Sequence, residues 1–143
     1  MKLRNSKPYK VQVNKTLEVD LYTTFVNAGF PSPAEDHMDV GLDLNDYLLK
    51  HPSSTFYIYA KGSSMVNAGI YDGDLMIVDR SLNPSSNNIV IAVINGEFTV
   101  KRILKRDTKI YLVPDNKDYN PICISDDDDF FIWGVVTHAI HHF

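Results

Sequence analysis

The sequence predicts a mainly β domain with one short helix, preceded by an extended N-terminal arm. Two observations support this fold class. From residue 55 onward, segments rich in β-branched and aromatic residues alternate with turn residues, which is typical of strands. Before residue 42 the chain is largely polar and shows no sustained periodicity. We therefore expect a flexible arm over residues 1–41 and a β-rich domain over residues 42–143.

The arm begins with a basic stretch and continues through two prolines. Residues 1–15 contain five lysines and arginines and no acid, whereas residues 126–129 are four consecutive aspartates. Pro31 and Pro33 disfavour helix and favour extended chain. The formal net charge of -4 gives no general basic field for holding nucleic acid by its phosphates. We expect both charged stretches to be solvated segments.

One short helix is predicted between the arm and the strands. Leu44, Tyr47 and Leu48 have the i, i+3, i+4 spacing of one helical face, and Asp43 precedes them as an N-cap. His51-Pro52 ends the pattern, because the residue before a proline is biased away from helix.

Six strands follow the helix, and one pair of them is joined by a strong hairpin signal. The predicted strand ranges are 55–60, 75–79, 88–94, 97–104, 109–113 and 130–140. Asn95-Gly96 separates the third from the fourth, and both residues tolerate the positive φ angles of a type I′ turn. Asp74 and Asp79 are expected to bracket the second strand rather than to assist catalysis.

The composition favours the cytoplasm over membranes and oxidising compartments. The single cysteine, Cys123, cannot form an internal disulfide. The first fifteen residues are polar where a signal peptide would be apolar. No apolar run approaches the ~20 residues that a membrane-spanning helix needs. We expect a cytoplasmic protein with no direct membrane contact.

Two serines follow the first predicted strand in a turn that begins with glycine. Ser63 and Ser64 come directly after Gly62, where a hydroxyl could be presented at the edge of a sheet. A serine pair after glycine is also an ordinary turn, and a serine without a base is a poor nucleophile near neutral pH. Position alone leaves both interpretations open.

The histidines have no spacing that identifies a base or a metal site. His37 and His51 flank the short helix, and the other three form the C-terminal HAIHH stretch. That stretch would bind a metal only if its histidines shared a helix face, whereas it is predicted to continue the last strand. We therefore expect neither a metal nor another cofactor.

Lysine is the other side chain that can activate a serine. Lys101 lies inside a β-branched strand, and it could act as a base near pH 7 only if burial lowered its pKa by about 3 units. Alternation groups Lys101 with Thr99 and Ile103 without telling which face is inward. An exposed strand lysine remains an alternative. The neighbouring Arg102 cannot be the base, because its guanidinium stays protonated.

Several fragments together resemble the LexA/UmuD family of self-cleaving serine-lysine peptidases, and most closely its UmuD branch. The fragments are Ala28-Gly29, GSSM at 62–65, DGDLMIVD at 72–79 and GEFTVK at 96–101. The FPSP of the arm and the closing WGVVTHAI are also similar to that branch. The order of the fragments is specific, with 36 residues from Ala28 to Ser64 and 37 from Ser64 to Lys101. The resemblance covers most of the chain and implies a LexA/UmuD-like domain of several curled β-sheets.

The resemblance implies a role for each matching residue. Ser64 would be the nucleophile, Lys101 the general base and later acid, and Ala28-Gly29 the bond that is cut. Backbone amides of Ser63 and Ser64 would form the oxyanion site. Ser63 departs from the acidic residue of the UmuD branch and leaves a second hydroxyl beside the nucleophile.

The resemblance also implies a biological role and partners. The RecA filament on single-stranded DNA promotes cleavage in this family, so DNA damage would be the trigger. The trimmed homodimer would serve a UmuC-like Y-family DNA polymerase in translesion synthesis, with the polymerase sliding clamp as a further partner. A LexA-like repressor is not expected, because residues 1–28 are too short for a three-helix DNA-binding domain and show no amphipathic helical pattern.

Other classes of protein remain as alternatives. In a non-catalytic polymerase-interaction protein, Ser64 and Lys101 would be relics. A LexA-like transcriptional regulator lacking its DNA-binding domain would keep the cleavage chemistry. A type I signal peptidase relative would share that chemistry but needs a membrane anchor. A plain β domain would have no chemistry at all.

Overall fold

The computed structural model describes residues 2–3, 8–11, 18–22, 28–29 and 38–143. These residues form two compact units. The first combines the described part of Met1–Val11 with His51–Phe143, and the second lies within Gln12–Lys50.

The secondary structure of both units is dominated by strands. In chain order, the elements are β1 Lys2–Leu3, β2 Tyr9–Lys10, β3 Glu18–Tyr22, β4 Met38–Asp43, α1 Leu44–Leu48, β5 Thr55–Lys61, β6 Leu75–Asp79, β7 Ile89–Ile94, β8 Glu97–Arg106, β9 Lys109–Val113, β10 Ile122–Cys123 and β11 Phe130–Ile140. Two 3₁₀ turns, Pro52–Ser54 and Val66–Ala68, lie on either side of β5.

The strands of the first unit form one antiparallel sheet. Its order is β1-β5-β6-β11-β7-β8-β9-β10, and β2 adds to β5 beside this path. Strand β1 pairs with β8 as well as with β5. It therefore bridges two strands that are far apart in the order of the sheet. In the second unit, β3 and β4 form a separate antiparallel pair.

The mainly β fold with one short helix is confirmed. All six predicted strands are present as β5 to β9 and β11, with small differences at their ends. Helix α1 begins where predicted, and the Asp43 side chain accepts a hydrogen bond from the Asn45 N–H at 3.0 Å, as an N-cap should. The turn between β7 and β8 has positive φ at Asn95 (50°) and Gly96 (82°), as predicted for a type I′ hairpin.

The acidic run contributes to this hairpin in addition to being largely exposed. The Asn95 side chain donates a hydrogen bond to Asp128 at 3.1 Å and accepts one from the Asp129 N–H at 2.9 Å. The aspartates therefore help to order the turn that precedes β8.

Five described strands were not predicted. Strands β1, β2 and β10 have two residues each, which is too short for any alternation to be visible. Strands β3 and β4 carry acidic residues, which are depleted in strands, so their sequences lack the usual signal.

Apolar clusters cover both faces of β7 and β8. One contains Ile58, Ala60, Met65, Ile70, Met76, Val78, Ile91 and Val100, and the other contains Val90, Ala92, Ile103, Leu112 and Val135. Because neighbouring strand residues point to opposite faces, Val100 belongs to the first cluster and Ile103 to the second. Both faces of β8 are therefore packed against apolar side chains in this region. No helix in the described ranges is long and apolar enough to span a membrane.

Candidate active site

The turn that carries the two serines follows β5 directly. Gly62 has φ 94°, in the left-handed region that glycine adopts at little cost, and its N–H donates to the Asp72 carboxylate at 2.7 Å. Ser63 is exposed, whereas Ser64 and Met65 are fully buried. The Met65 side chain belongs to the first apolar cluster, and the Met65 carbonyl accepts from the Ile70 N–H at 3.2 Å. The turn is thus anchored in the core one residue after Ser64.

Lys101 lies next to Ser64 in the structure. The Lys101 Nζ is 3.2 Å from the Ser64 Oγ, 3.0 Å from the Thr99 Oγ1 and 3.2 Å from the Val100 carbonyl oxygen. Only 6% of Lys101 is exposed. This burial lowers the pKa of the Lys101 ammonium, because the charged form loses its hydration. The structure therefore brings the predicted nucleophile and base together in a buried site that lowers the pKa of the lysine.

Strand β1 explains how β5 and β8 come close enough for this contact. Lys2 is opposite Lys61 of β5 and opposite Thr99 of β8. Ser64 follows Lys61 by three residues and Lys101 follows Thr99 by two. The end of β5 and the middle of β8 thus lie on either side of one short strand, which places the two side chains at the same point of the sheet.

A loop after β9 packs on the serine turn, and no sequence pattern predicts this contact. The Asn116 side-chain amide donates to the Ser63 carbonyl oxygen at 2.8 Å. The Tyr119 hydroxyl is 3.0 Å from the Ser63 Oγ, and the Asp115 carbonyl oxygen accepts from the Asn67 N–H at 2.9 Å. Since no motif marks residues 115–119, only their position in the fold reveals them.

The two serine hydroxyls have different surroundings. The Ser63 hydroxyl is exposed and lies next to Tyr119, while the Ser64 hydroxyl is buried next to Lys101. Of the two, Ser64 is therefore the one placed for activation by the lysine.

The predicted scissile residues, Ala28 and Gly29, belong to the second compact unit. Both are exposed. Pro31 and Pro33, which were expected to keep this segment extended, lie outside the described residues.

Two histidines pair with buried aspartates at the ends of β6. The His51 Nδ1 is 2.6 Å from Asp79, and the His141 Nδ1 is 2.5 Å from Asp74. Asp74 also accepts from the Tyr71 N–H at 2.8 Å. Both aspartates bracket β6, as predicted. Among the residues that the structure describes, no three His, Cys, Asp or Glu side chains are grouped closely enough to hold a metal ion.

The chain is similar to one protein-family model and to several known proteins. The family model described as Peptidase S24-like matches residues 20–137. Protein MucA of Escherichia coli is 45% identical over 123 residues, which cover 85% of this chain and 84% of MucA. Protein ImpA of Salmonella typhimurium is 44% identical over 122 residues, covering 85% of this chain and 82% of ImpA. The LexA repressor of Bordetella avium is 36% identical over 129 residues, covering 81% of this chain but 56% of the repressor.

Proposed function

We propose that this chain, which belongs to the Peptidase S24-like family of LexA and UmuD proteins, is a serine peptidase. It would cut its own chain between Ala28 and Gly29. The observation that carries the proposal is the distance of 3.2 Å between the Lys101 Nζ and the Ser64 Oγ in a buried site. A lysine at hydrogen-bond distance from a serine, with its pKa lowered by burial, is the arrangement that serine-lysine catalysis requires.

The chemistry follows from these two side chains. The neutral Lys101 amine takes the proton of the Ser64 hydroxyl while the Oγ bonds to the Ala28 carbonyl carbon. The carbonyl electrons move to oxygen, and backbone N–H groups of Ser63 and Ser64 stabilise the resulting oxyanion. Lys101, now an ammonium, protonates the Gly29 nitrogen as the peptide bond breaks. Water then hydrolyses the Ser64 ester with Lys101 again as the base, which restores both side chains.

Backbone pairing beside the site supports the docking of an extended segment. The pairing of β1 with Ala60, Lys61 and Thr99 is an example of a short extended piece of this chain lying between β5 and β8. Proline favours extended chain, and Gly29 has no side chain to hinder approach of the backbone. Because the segment is tethered, its effective concentration is high and a modest nucleophile suffices.

We propose that the trimmed protein acts in SOS mutagenesis in the cytoplasm. The RecA filament on single-stranded DNA would stimulate cleavage, and the trimmed homodimer would be an accessory subunit of a UmuC-like Y-family DNA polymerase, with the polymerase sliding clamp as a further partner. The support for this role is the similarity to MucA and ImpA over most of both chains. The LexA repressor is less similar, and the matched region is little more than half of its length.

Intact-mass analysis of the purified protein tests the peptidase. Wild type is held at alkaline pH, with and without RecA filaments, beside Ser64→Ala, Lys101→Ala and Ser63→Ala. We expect a fragment beginning at Gly29 that is absent from the first two variants and present in the third. If wild type stays intact even with activated filaments, the chain is instead a non-catalytic interaction protein. If Ser63→Ala abolishes cleavage and Ser64→Ala does not, the nucleophile is misassigned.

A further inference from the structure

The loop after β9 contacts the serine turn at three successive points. Asn116 bonds to the Ser63 carbonyl oxygen, the Asp115 N–H donates to the Met65 Sδ at 3.4 Å, and the Asp115 carbonyl oxygen accepts from Asn67. These contacts lie on both sides of Ser64. The loop therefore holds the backbone around the nucleophile. None of these three contacts involves the Ser64 hydroxyl.

The contact of Asn116 helps to fix the orientation of the Ser63–Ser64 peptide group, whose carbonyl oxygen also accepts from the Val66 N–H at 3.3 Å. A trans peptide is planar, and its C=O and N–H point in opposite directions. A hydrogen bond that fixes the Ser63 carbonyl therefore also fixes the direction of the Ser64 N–H. In the proposed mechanism, that N–H is one of the two groups that stabilise the oxyanion.

Asn116 is itself held in one orientation. Its side-chain oxygen accepts from the Asp118 N–H at 3.0 Å, and its backbone carbonyl accepts from the Tyr119 N–H at 3.2 Å. Because the oxygen of the amide is engaged by an N–H donor, the nitrogen is the atom that faces Ser63. A side-chain amide in this position can donate, whereas a carboxylate in its place would repel the carbonyl.

The loop is also tied to the strand that carries the lysine. The Arg102 guanidinium contacts the Asp115 carboxylate, with its Nε at 3.0 Å and its second terminal nitrogen at 2.8 Å. Arg102 is adjacent to Lys101 on β8. One loop thus connects the backbone around Ser64 to the strand of the base.

We propose that Asn116 is a positioning residue, which orients the Ser63–Ser64 peptide so that the Ser64 N–H faces the carbonyl oxygen of the bond being cut. Tyr119 assists by holding the Ser63 hydroxyl on the exposed side of the turn, away from the lysine. The inference rests on the proposed peptidase function and adds to it the residue that sets the geometry of the oxyanion site.

The test measures self-cleavage against pH for Asn116→Ala and Asn116→Asp. The matched control is Asn120→Asp, which adds the same charge at an exposed asparagine of the same loop. We expect the maximal rate to fall about 10-fold or more in both Asn116 variants, because a misoriented Ser64 N–H stabilises the oxyanion less well. The pH of half-maximal rate should not move in Asn116→Ala, which leaves the charges around Lys101 unchanged, and Asn120→Asp should cleave like wild type. Asn116→Asp keeps the side-chain volume, so the maximal rate can be measured in this variant if Asn116→Ala does not fold.

Several results would overturn the proposal. One is an unchanged maximal rate in a folded Asn116 variant. Another is a shifted half-maximal pH with an unchanged maximum, which would mean that Asn116 acts on the lysine. An equal loss of maximal rate in Asn120→Asp would show that the added charge in the loop, and not the lost contact of Asn116, causes the effect.

A second measurement separates this proposal from the peptidase itself. Hydrogen exchange of residues 63–65 is followed in the Ser64→Ala background, where no cleavage can occur. Asn116→Ala should speed this exchange and Asn120→Ala should not, whether or not wild type is a peptidase. Unchanged exchange would show that Asn116 does not hold the turn.

Discussion

The Lys101 Nζ lies 3.2 Å from the Ser64 Oγ, although 37 residues separate the two in sequence. Ser64 follows the end of β5 and Lys101 lies within β8, and the short strand β1 bridges these two strands. The contact is buried, so its electrostatics are set by the protein rather than by bulk water.

The rate of self-cleavage should rise with pH. Burial lowers the pKa of Lys101 below its ordinary value of 10.5, and only the neutral amine can take the serine proton. The fraction of active enzyme therefore grows as pH rises through this pKa and then levels off. Rates measured by intact mass from pH 6 to 11 should follow a single titration curve with its midpoint below 10.5. A rate that is flat or falls over this range would contradict the role of Lys101 as base.

Replacing the lysine should stabilise the fold at neutral pH. A group whose pKa is lower in the folded than in the unfolded protein binds more protons when unfolded, so stability rises with pH between the two values. Below that window the burial of a charged lysine opposes folding. Lys101→Met keeps a similar volume without the charge, so we expect a higher Tm, by roughly 2 to 4 °C for each kcal/mol gained.

Two comparisons check this interpretation of Lys101→Met. The gain should shrink as the pH is raised, because a growing fraction of the wild-type lysine is then neutral. The exposed Lys105→Met on the same strand should show no comparable gain. A Tm below that of wild type at neutral pH would mean that the contacts of the Lys101 amine outweigh its desolvation.

Six of the strands and the helix could be predicted from local sequence patterns, and the serine-lysine pair from the resemblance, but the surroundings of the pair could not be predicted. Strands β5 to β9 and β11 have five or more residues with β-branched and aromatic side chains, so their signal is local. The burial of Lys101 depends on both faces of β8 being covered, and no pattern within one strand can show that. The contact of Asn116 with Ser63 joins residues 53 apart in an exposed loop, where asparagine is an ordinary residue.

Gly134, in the WGVVTHAI fragment of β11, packs closely against the neighbouring strand β6. A Cβ at Gly134 would lie 2.6 Å from the Val78 Cγ1, a buried side chain of the neighbouring strand that cannot move away easily. Gly134→Ala should therefore lower the free energy of unfolding by about 1 to 3 kcal/mol, as overpacking does. Urea denaturation measures this change.

A double variant identifies the cause of that loss. In a Val78→Ala background, the added methyl group of Gly134→Ala has room, so its effect should be much smaller than in wild type. If the two losses simply add, the contact between residues 78 and 134 is not the reason for the glycine.

Asp79 should make the fold sensitive to acid. Burial alone would raise the pKa of Asp79, but hydrogen bonds from Ser81 and His51 outweigh it and hold this pKa below its ordinary value. The Ser81 N–H and hydroxyl donate at 2.8 and 2.6 Å, and the His51 Nδ1 is 2.6 Å away. A carboxyl whose pKa is lowered by folding contributes stability that is present above its unfolded pKa of about 3.9. That contribution is lost as the pH falls through the lower, folded pKa.

Thermal unfolding between pH 2 and 7 would measure the contribution of Asp79. Wild type should lose Tm steeply below about pH 4. Asp79→Asn should have a lower Tm at pH 7 and a shallower decline, because its side chain cannot ionise and cannot accept the same bonds with a full charge. Asp126→Asn, at an exposed aspartate, should follow the wild-type curve. If Asp79→Asn declines as steeply as wild type, the acid sensitivity arises from other carboxylates, and the strand end at β6 is held by packing rather than by this charge.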